Sequence, residues 1–245
     1  VAGEIYRQRR QGRRVVAIVS ALAGETDALL AAAEAAAGGC GTADLISLRE
    51  ERSTALLRIA CDRIGLSTAI CRPETLGLAT GGDSLDARPV RLDRERIDAA
   101  LEAGKVAIVP GFVGIDESGD RALLGRGGSD LSAVFLGAEL DAECVRLYKD
   151  VSGVFDKDPA LHADARRFPG LSWKMAADVA GRLVQPAAIS HAAARRLLVE
   201  IGTIGGGDPT LIGPSGSDPQ PLRQRRPLKV ALAGYGVVGQ ALAAR

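Results

Sequence analysis

The residues best equipped for chemistry sit in one run, Leu124-Gly125-Arg126-Gly127-Gly128-Ser129-Asp130. Glycines let a backbone turn tightly and present its N–H groups, and Ser129 is placed to cap the helix that follows. A helix N-terminus attracts phosphate or carboxylate, and the guanidinium of Arg126 adds a two-pronged donor for either. A plain capped glycine turn would use the same residues. A second loop, from Val19 to Asp27, follows a β-branched run and carries Ser20 and Thr26. There the hydroxyls lie at the carboxyl end of a strand, where open α/β sheets bind ligands, although both residues also suit helix caps. A third run, Tyr148 to Pro159, offers Lys149 and Lys157 to phosphates, Asp150 to a ribose or metal, and Phe155 to an adenine face. Alone it reads as an acid-and-lysine surface turn.

These loops need elements to hold them, and the apolar pattern supplies a strand–helix alternation. Strands are expected at Arg14–Ser20, Leu66–Cys71, Lys105–Val109, Cys144–Tyr148 and Leu197–Ile201. Helices are expected at Glu25–Ala37, Ala43–Ile64, Arg94–Ala103, Ser129–Leu140, Ser172–Leu183 and Ala187–Arg196. Asp116-Glu117-Ser118-Gly119 reads as a turn between two extended pieces. Strands separated by such helices imply a mostly parallel sheet covered on both faces, an α/β fold. The domain reading is a first unit over 1–204, a Gly/Pro/Ser-rich linker over 205–227 and a new domain from 228 to 245. That last piece opens with a strand, Lys229–Ala233, followed by Gly234-Tyr235-Gly236-Val237-Val238-Gly239. A G-x-G-x-x-G between strand and helix is the spacing of a Rossmann NAD(P) site: Gly234 makes the tight turn, Gly236 admits the pyrophosphate and Gly239 lets helix and strand pack. A glycine-rich strand–helix turn is the alternative.

Composition narrows the classes. The 245 residues are 47 % hydrophobic and 25 % charged, a globular balance, and only 3 % aromatic, so the core is aliphatic. A formal charge of +1 provides no field to steer the chain to nucleic acid or an anionic membrane. The longest apolar stretches, such as Val15–Ala23, fall short of the ~20 residues that span a bilayer. No signal peptide is read at the start. Cys40, Cys61, Cys71 and Cys144 make no C-x-x-C pair, and His162 and His191 are too few for a typical zinc site, so reduced structural thiols in a cytoplasmic protein are expected.

Together the segments VVAIVSALAGETDALL (15–30), REERST (49–54), IVPGFVGIDESGDRALLGRGGSDLSA (108–133), YKDVSGVFDKDP (148–159), LVQPAAI (183–189) and PTLIG (209–213) resemble aspartate kinase, of the amino-acid kinase family. The resemblance implies a three-layer α/β/α sandwich that transfers the γ-phosphoryl group of ATP, with Mg²⁺, to the side-chain carboxylate of aspartate. It implies Thr26 and Glu50 at the amino acid, with Glu50 pairing the ammonium, Arg126 on the α-carboxylate and Ser129 beside it. Arg126 and Asp130 are implied as the catalytic pair. Ser20 is implied near the phosphates, and Lys149, Asp150, Phe155 and Arg182 around the nucleotide; no dedicated metal ligand is implied. The family's Lys-Phe-Gly-Gly strand is not found here, Lys149 stands for a usual threonine, Phe155 for a tyrosine, and Gln185 for a histidine.

With the Rossmann motif behind it, the arrangement resembles a bifunctional aspartokinase/homoserine dehydrogenase, read here as a fragment cut at both ends and as part of a homo-oligomer. The acidic residue that separates NAD from NADP would fall ~20 residues past the motif, beyond Arg245. Other readings are a non-catalytic kinase-like module that binds a metabolite or scaffolds the dehydrogenase, or a kinase for glutamate or a carbamate.

Overall fold

The computed structural model describes residues 1–21, 41–181 and 183–219. The expected helix at Glu25–Ala37 and the 228–245 segment lie outside the described residues. The fold is mixed α/β and is organised around three small sheets.

The first sheet is parallel, in the order β1 (Val16–Val19), β5 (Val106–Pro110), β2 (Thr68–Ile70). The central strand β5, VAIVP, is buried along its whole length. Its side chains alternate with the period of two that a pleated strand imposes. Val106 and Ile108 pack with Ile5 of α1 (Ala2–Arg10) and with Leu57 and Cys61 of α2 (Gly41–Asp62). Ala107 and Val109 pack with Ile97 and Leu101 of α4 (Glu95–Glu102) and with Phe135 and Leu136 of α5 (Gly128–Glu139). Helices therefore cover both faces, as expected of a parallel sheet.

The second sheet has the order β8 (Val145–Tyr148), β10 (Val199–Gly202), β11 (Thr210–Gly213), β9 (Gly170–Ser172). Its buried residues, among them Leu147, Leu171, Ile201 and Ile212, join Leu131 and Val134 of α5 and Ala188 and Ala192 of α7 (Pro186–Arg195). Helix α6 (Trp173–Val179) starts on Ser172, whose hydroxyl accepts a hydrogen bond from the Met175 N–H at 3.2 Å. Because α5 packs into both cores, its N-terminus lies where the two sheets meet. The third sheet, β4 (Arg88–Arg91), β3 (Ala79–Gly81), β6 (Val113–Ile115), β7 (Arg121–Leu123), includes the expected turn: Asp116 Oδ1 accepts from the Ser118 and Asp120 N–H groups at 2.8 and 3.0 Å.

Two expectations are corrected. Thr210–Gly213 falls within the stretch read as linker but forms β11, antiparallel to β10 and parallel to β9, with Ile212 1 % exposed. Short elements also went unread: α3 (Pro73–Leu76), β3, β4 and β9 are three or four residues each. Such lengths hold too few periods to leave a pattern. Among the described residues, no helix is long and apolar enough to cross a membrane.

Candidate functional site at the carboxyl ends of the parallel sheet

Strands β1 and β5 run side by side and end together. Beyond them, the Gly111 N–H donates to Val19 O at 2.9 Å, and Ser20 is exposed. A Cβ at Gly111 would lie 2.9 Å from Ile18 Cγ2 and 3.1 Å from Ser129 Oγ. Only a glycine there lets the first turn of α5 approach the strand ends. The next residue, Phe112, has φ 71°, a left-handed conformation that costs a bulky residue of order 1–3 kcal/mol. It is held there because its N–H donates to Ser132 Oγ at 2.9 Å, while the Ser132 hydroxyl donates to Gly128 O at 2.9 Å.

The loop from Leu124 to Gly128 is built on that platform. The Leu124 N–H donates to Phe112 O at 2.9 Å, and Gly125 and Gly127 take φ of 68° and 78°. Helix α5 begins at Gly128 with left-handed Gly127 as its N-cap and no side-chain cap. Ser129, expected to cap this helix, instead lies inside its first turn, leaving its hydroxyl to face Gly111. Gln185 braces the loop from the other side, its Nε2 donating to Leu124 O at 3.2 Å. Arg126 stands exposed at the tip.

One turn into α5 and just past β8, Asp130 and Lys149 meet. The Lys149 ammonium lies 2.8 and 2.9 Å from the two carboxylate oxygens of Asp130. The side chains are 21 % and 12 % exposed, so the pair is largely withdrawn from water. Lys149 is fixed at its backbone too, its N–H donating to Gly202 O at 2.8 Å. Farther along, Asp150 is exposed and Phe155 is half-buried, bridged to Arg167. Lys157, offered to phosphates by the sequence, pairs with Asp164 at 2.5 Å. A backbone hydrogen bond from Arg166, followed by its guanidinium, holds the Asp156 carboxyl below the usual range.

Glu50 is 4 % exposed on the inner face of α2, which packs against β5 and β7. Arg121 opens β7 and anchors that helix, lying 2.5 Å from Glu51 Oε1 and 2.7 Å from Glu74 Oε1 and donating to Ser47 Oγ. Burial lowers its pKa, but the hydrogen bond it donates to Glu51 and the charge of Glu74 outweigh it and hold the guanidinium above its ordinary value. A cleft of about 320 Å³ opens on the outer side of α2, between Leu48, Arg52, Ile70, Arg72 and Pro110. Neither Arg126, Asp130 nor Lys149 lines it.

A family model described as the amino acid kinase family matches residues 1–203. The chain belongs to that family. It is 32 % identical over 179 residues to an aspartate kinase of Pseudomonas fluorescens (strain SBW25), covering 71 % of this chain and 43 % of that one. The structure of aspartate kinase from Synechocystis superposes with a TM-score of 0.75 at 26 % identity, covering 91 % of this chain and 37 % of that one. Aspartokinase III of E. coli, solved in complex with aspartate and ADP, gives 0.68 at 26 % identity over 78 % of this chain and 45 % of that one. The chain thus spans less than half the length of each of these relatives.

In this member of the family the structure brings Ser20, Ser129, Asp130 and Lys149 to one end of the parallel sheet, below Arg126. It turns Lys157 away. Thr26, Arg182, Gly234, Gly236 and Gly239 lie outside the described residues. Sequence reasoning missed Phe112, Ser132, Arg121 and Gln185 as site-shaping residues; the Gly111-Phe112 pair after an apolar strand was the available signal. The described residues include no group of three or more His, Cys, Asp or Glu side chains able to hold a metal. Cys61, Cys71 and Cys144 are free thiols, and burial pushes the Cys144 thiol up to about 11, which leaves it unreactive.

Proposed function

We propose that this kinase transfers the γ-phosphoryl group of ATP to the side-chain carboxylate of L-aspartate, giving 4-phospho-aspartate. The observation that carries the reading is the junction itself: the Gly-rich loop bearing Arg126 and Ser129 meets Lys149 and Asp130 over the ends of β1 and β5. Phosphoryl transfer asks for positioned reactants and positive charge on the phosphates, with little covalent work from the protein. Thr26 and Glu50 would sit at the substrate amino acid, with Glu50 pairing its ammonium, while Arg126 would hold the α-carboxylate and Ser129 would lie beside it. Ser20, Lys149, Asp150, Phe155 and Arg182 would surround the nucleotide. The aspartokinase relatives favour aspartate over glutamate or a carbamate as acceptor. A cytoplasmic setting suits an ATP-dependent reaction and free thiols.

The test is ATP- and aspartate-dependent ADP release by the full chain, with Arg126→Ala as control. That variant should lose about 100-fold in kcat/KM for aspartate while nucleotide binding persists, since it removes a charge-assisted bidentate contact. Equal loss of aspartate and nucleotide binding, or turnover indifferent to aspartate, counts against the reading.

One observation favours a second reading, a non-catalytic module that binds a metabolite or serves an attached enzyme. In the 156–166 loop Lys157 and Arg166 are neutralised by Asp164 and Asp156 rather than left for phosphates. We also propose that residues beyond Gly213 form a linker and that 228–245 opens an NAD(P)-binding homoserine dehydrogenase domain. The Gly234–Gly239 spacing supports this, and homoserine-dependent NADP⁺ reduction by the longer chain would test it.

A further inference from the structure

We propose that Lys149 is the catalytic cation that meets the transferred phosphoryl group, and that Asp130 is its positioning residue rather than a base. The inference rests on the phosphoryl-transfer reading and assigns the roles within it.

The chemistry removes the need for a base. A side-chain carboxyl with an ordinary pKa of about 3.9 is ionised at neutral pH. One of its oxygens forms the new bond to the γ-phosphorus. The bond from that phosphorus to the β,γ-bridging oxygen breaks, and ADP leaves with the electron pair. No proton changes hands, so a carboxylate beside the reaction has nothing to abstract. What the step lacks is positive charge on the equatorial phosphoryl oxygens.

The geometry supplies that charge at one place. Asp130 is one residue past Ser129 on the acceptor side, and Lys149 is one residue before Asp150 on the nucleotide side, so their contact ties the two halves together. Both Asp130 oxygens are engaged by the ammonium at 2.8 and 2.9 Å. An ammonium has three protons, and no acceptor among the described residues takes the remaining one from Lys149. Among the described residues, the cations of the loop that follows Lys149 are committed elsewhere: Lys157 to Asp164, Arg166 to Asp156, and buried Arg167 to Pro209 O at 2.6 Å. Lys149 can therefore reach a phosphoryl oxygen without leaving Asp130, and the carboxylate keeps the long side chain from swinging into water.

The test compares the full-length wild type with Lys149→Met, Lys149→Arg, Asp130→Asn and the Lys149→Met/Asp130→Asn double variant. It reads ADP release, melting temperature and calorimetric affinities for MgATP and MgADP. Lys149→Met should lower kcat about 100-fold and weaken MgATP about tenfold, leaving MgADP and the aspartate KM within about threefold, because only the γ-phosphoryl contact is lost. Lys149→Arg should recover part of kcat. Asp130→Asn should lower kcat about tenfold without weakening MgATP, and the double variant should be no worse than Lys149→Met alone. A Lys149→Met enzyme within about threefold of wild-type kcat, or one that loses ATP and ADP equally, overturns the catalytic assignment. Losses that add in full in the double variant, or an Asp130→Asn enzyme that loses MgATP, overturn the positioning role. A wild-type chain with no aspartate-dependent turnover defeats the underlying kinase reading instead, and this inference falls with it.

Discussion

The Gly-rich loop side of the site and the side formed by the loop after β8 are built by different physics. The Gly-rich side is made of backbone in close approach. Carbon atoms at Gly111, Gly127 or Gly128 would sit 2.7–3.1 Å from Ile18, Ser129, Gln185, Phe112 or Leu124, so the loop, the helix start and the strand ends leave one another no room. The loop after β8 is held mainly by side-chain charge, Lys157 to Asp164 and Arg166 to Asp156, with three of those four residues exposed. A close approach there falls at Gly153, where an added Cβ would lie 2.6 Å from Thr210 Oγ1. A site built by packing fixes the backbone that carries Arg126 and Ser129 and tolerates few substitutions. A site built by surface ion pairs holds its ligand groups more loosely and can change sequence at small cost to folding.

The largest effect expected from this contrast is at Gly128. An alanine there places a methyl 2.7 Å from Phe112 Cδ2 and 2.8 Å from Leu124 Cβ. Phe112 cannot retreat freely, because its left-handed backbone is pinned by Ser132. Gly128→Ala should therefore destabilise the fold by about 1–3 kcal/mol and weaken aspartate binding as the loop shifts. Gly170→Ala in the second sheet is the control: its methyl would meet Leu211 O and Ser217 Oγ at an ordinary 3.6 Å. Equal denaturation midpoints for the two variants would remove the distinction between the halves.

That same packing explains which parts of the site could be read from sequence. The Leu124–Asp130 loop was legible because three glycines before an apolar helix have few other uses, and the long elements β5, α2 and α5 carry several periods of apolar residues. The capping of α5 was misread because left-handed Gly127 provides the N-cap through its own backbone, so the helix starts two residues earlier than a cap at Ser129 implies. Arg121 gave no local sign, since its partners Ser47, Glu51 and Glu74 lie 74, 70 and 47 positions away. Lys149 stood out in the sequence as a candidate cation, whereas its pairing with Asp130 depends on how the second sheet docks on α5. Strand β11 was hidden by its setting, four ordered residues between Gly/Pro-rich flanks.

A smaller effect should appear on acidification, again on the packed side. His191 on α7 lies against Phe135 of α5, ring centroids 5.4 Å apart, with its Nε2 buried and without a partner among the described residues. Burial, then the nearby Arg195 charge, lowers its pKa below the ordinary value, with Glu139 opposing. The folded state therefore takes up a proton less readily than the unfolded chain. Between the unfolded value near 6.5 and the lower folded one, the unfolded state holds more protons, so stability falls as pH falls through that window. His191→Phe should flatten the stability curve on the acid side of about pH 6.5 relative to wild type. An unchanged slope would show that the ring titrates freely.

The smallest effect is expected where the same chemistry as the Lys149–Asp130 pair is repeated in water. Lys157 and Asp164 are 2.5 Å apart, with side chains 37 % and 77 % exposed. The hydrogen bond from Lys157 holds the Asp164 carboxyl below its usual range, a contribution present above the unfolded carboxyl pKa and lost as pH falls through the lower folded one. Exposed pairs are screened by salt and lose side-chain entropy on forming. Lys157→Ala should leave the melting temperature, kcat and both KM values unchanged within error at neutral pH and physiological salt. Lys149→Met, one turn of loop away, should abolish most turnover. If Lys157→Ala instead proved as damaging, the loop cation rather than the junction cation would be the one that meets phosphate. Position would then matter less than charge, and the division of the site into a packed half and a paired half would lose its functional meaning.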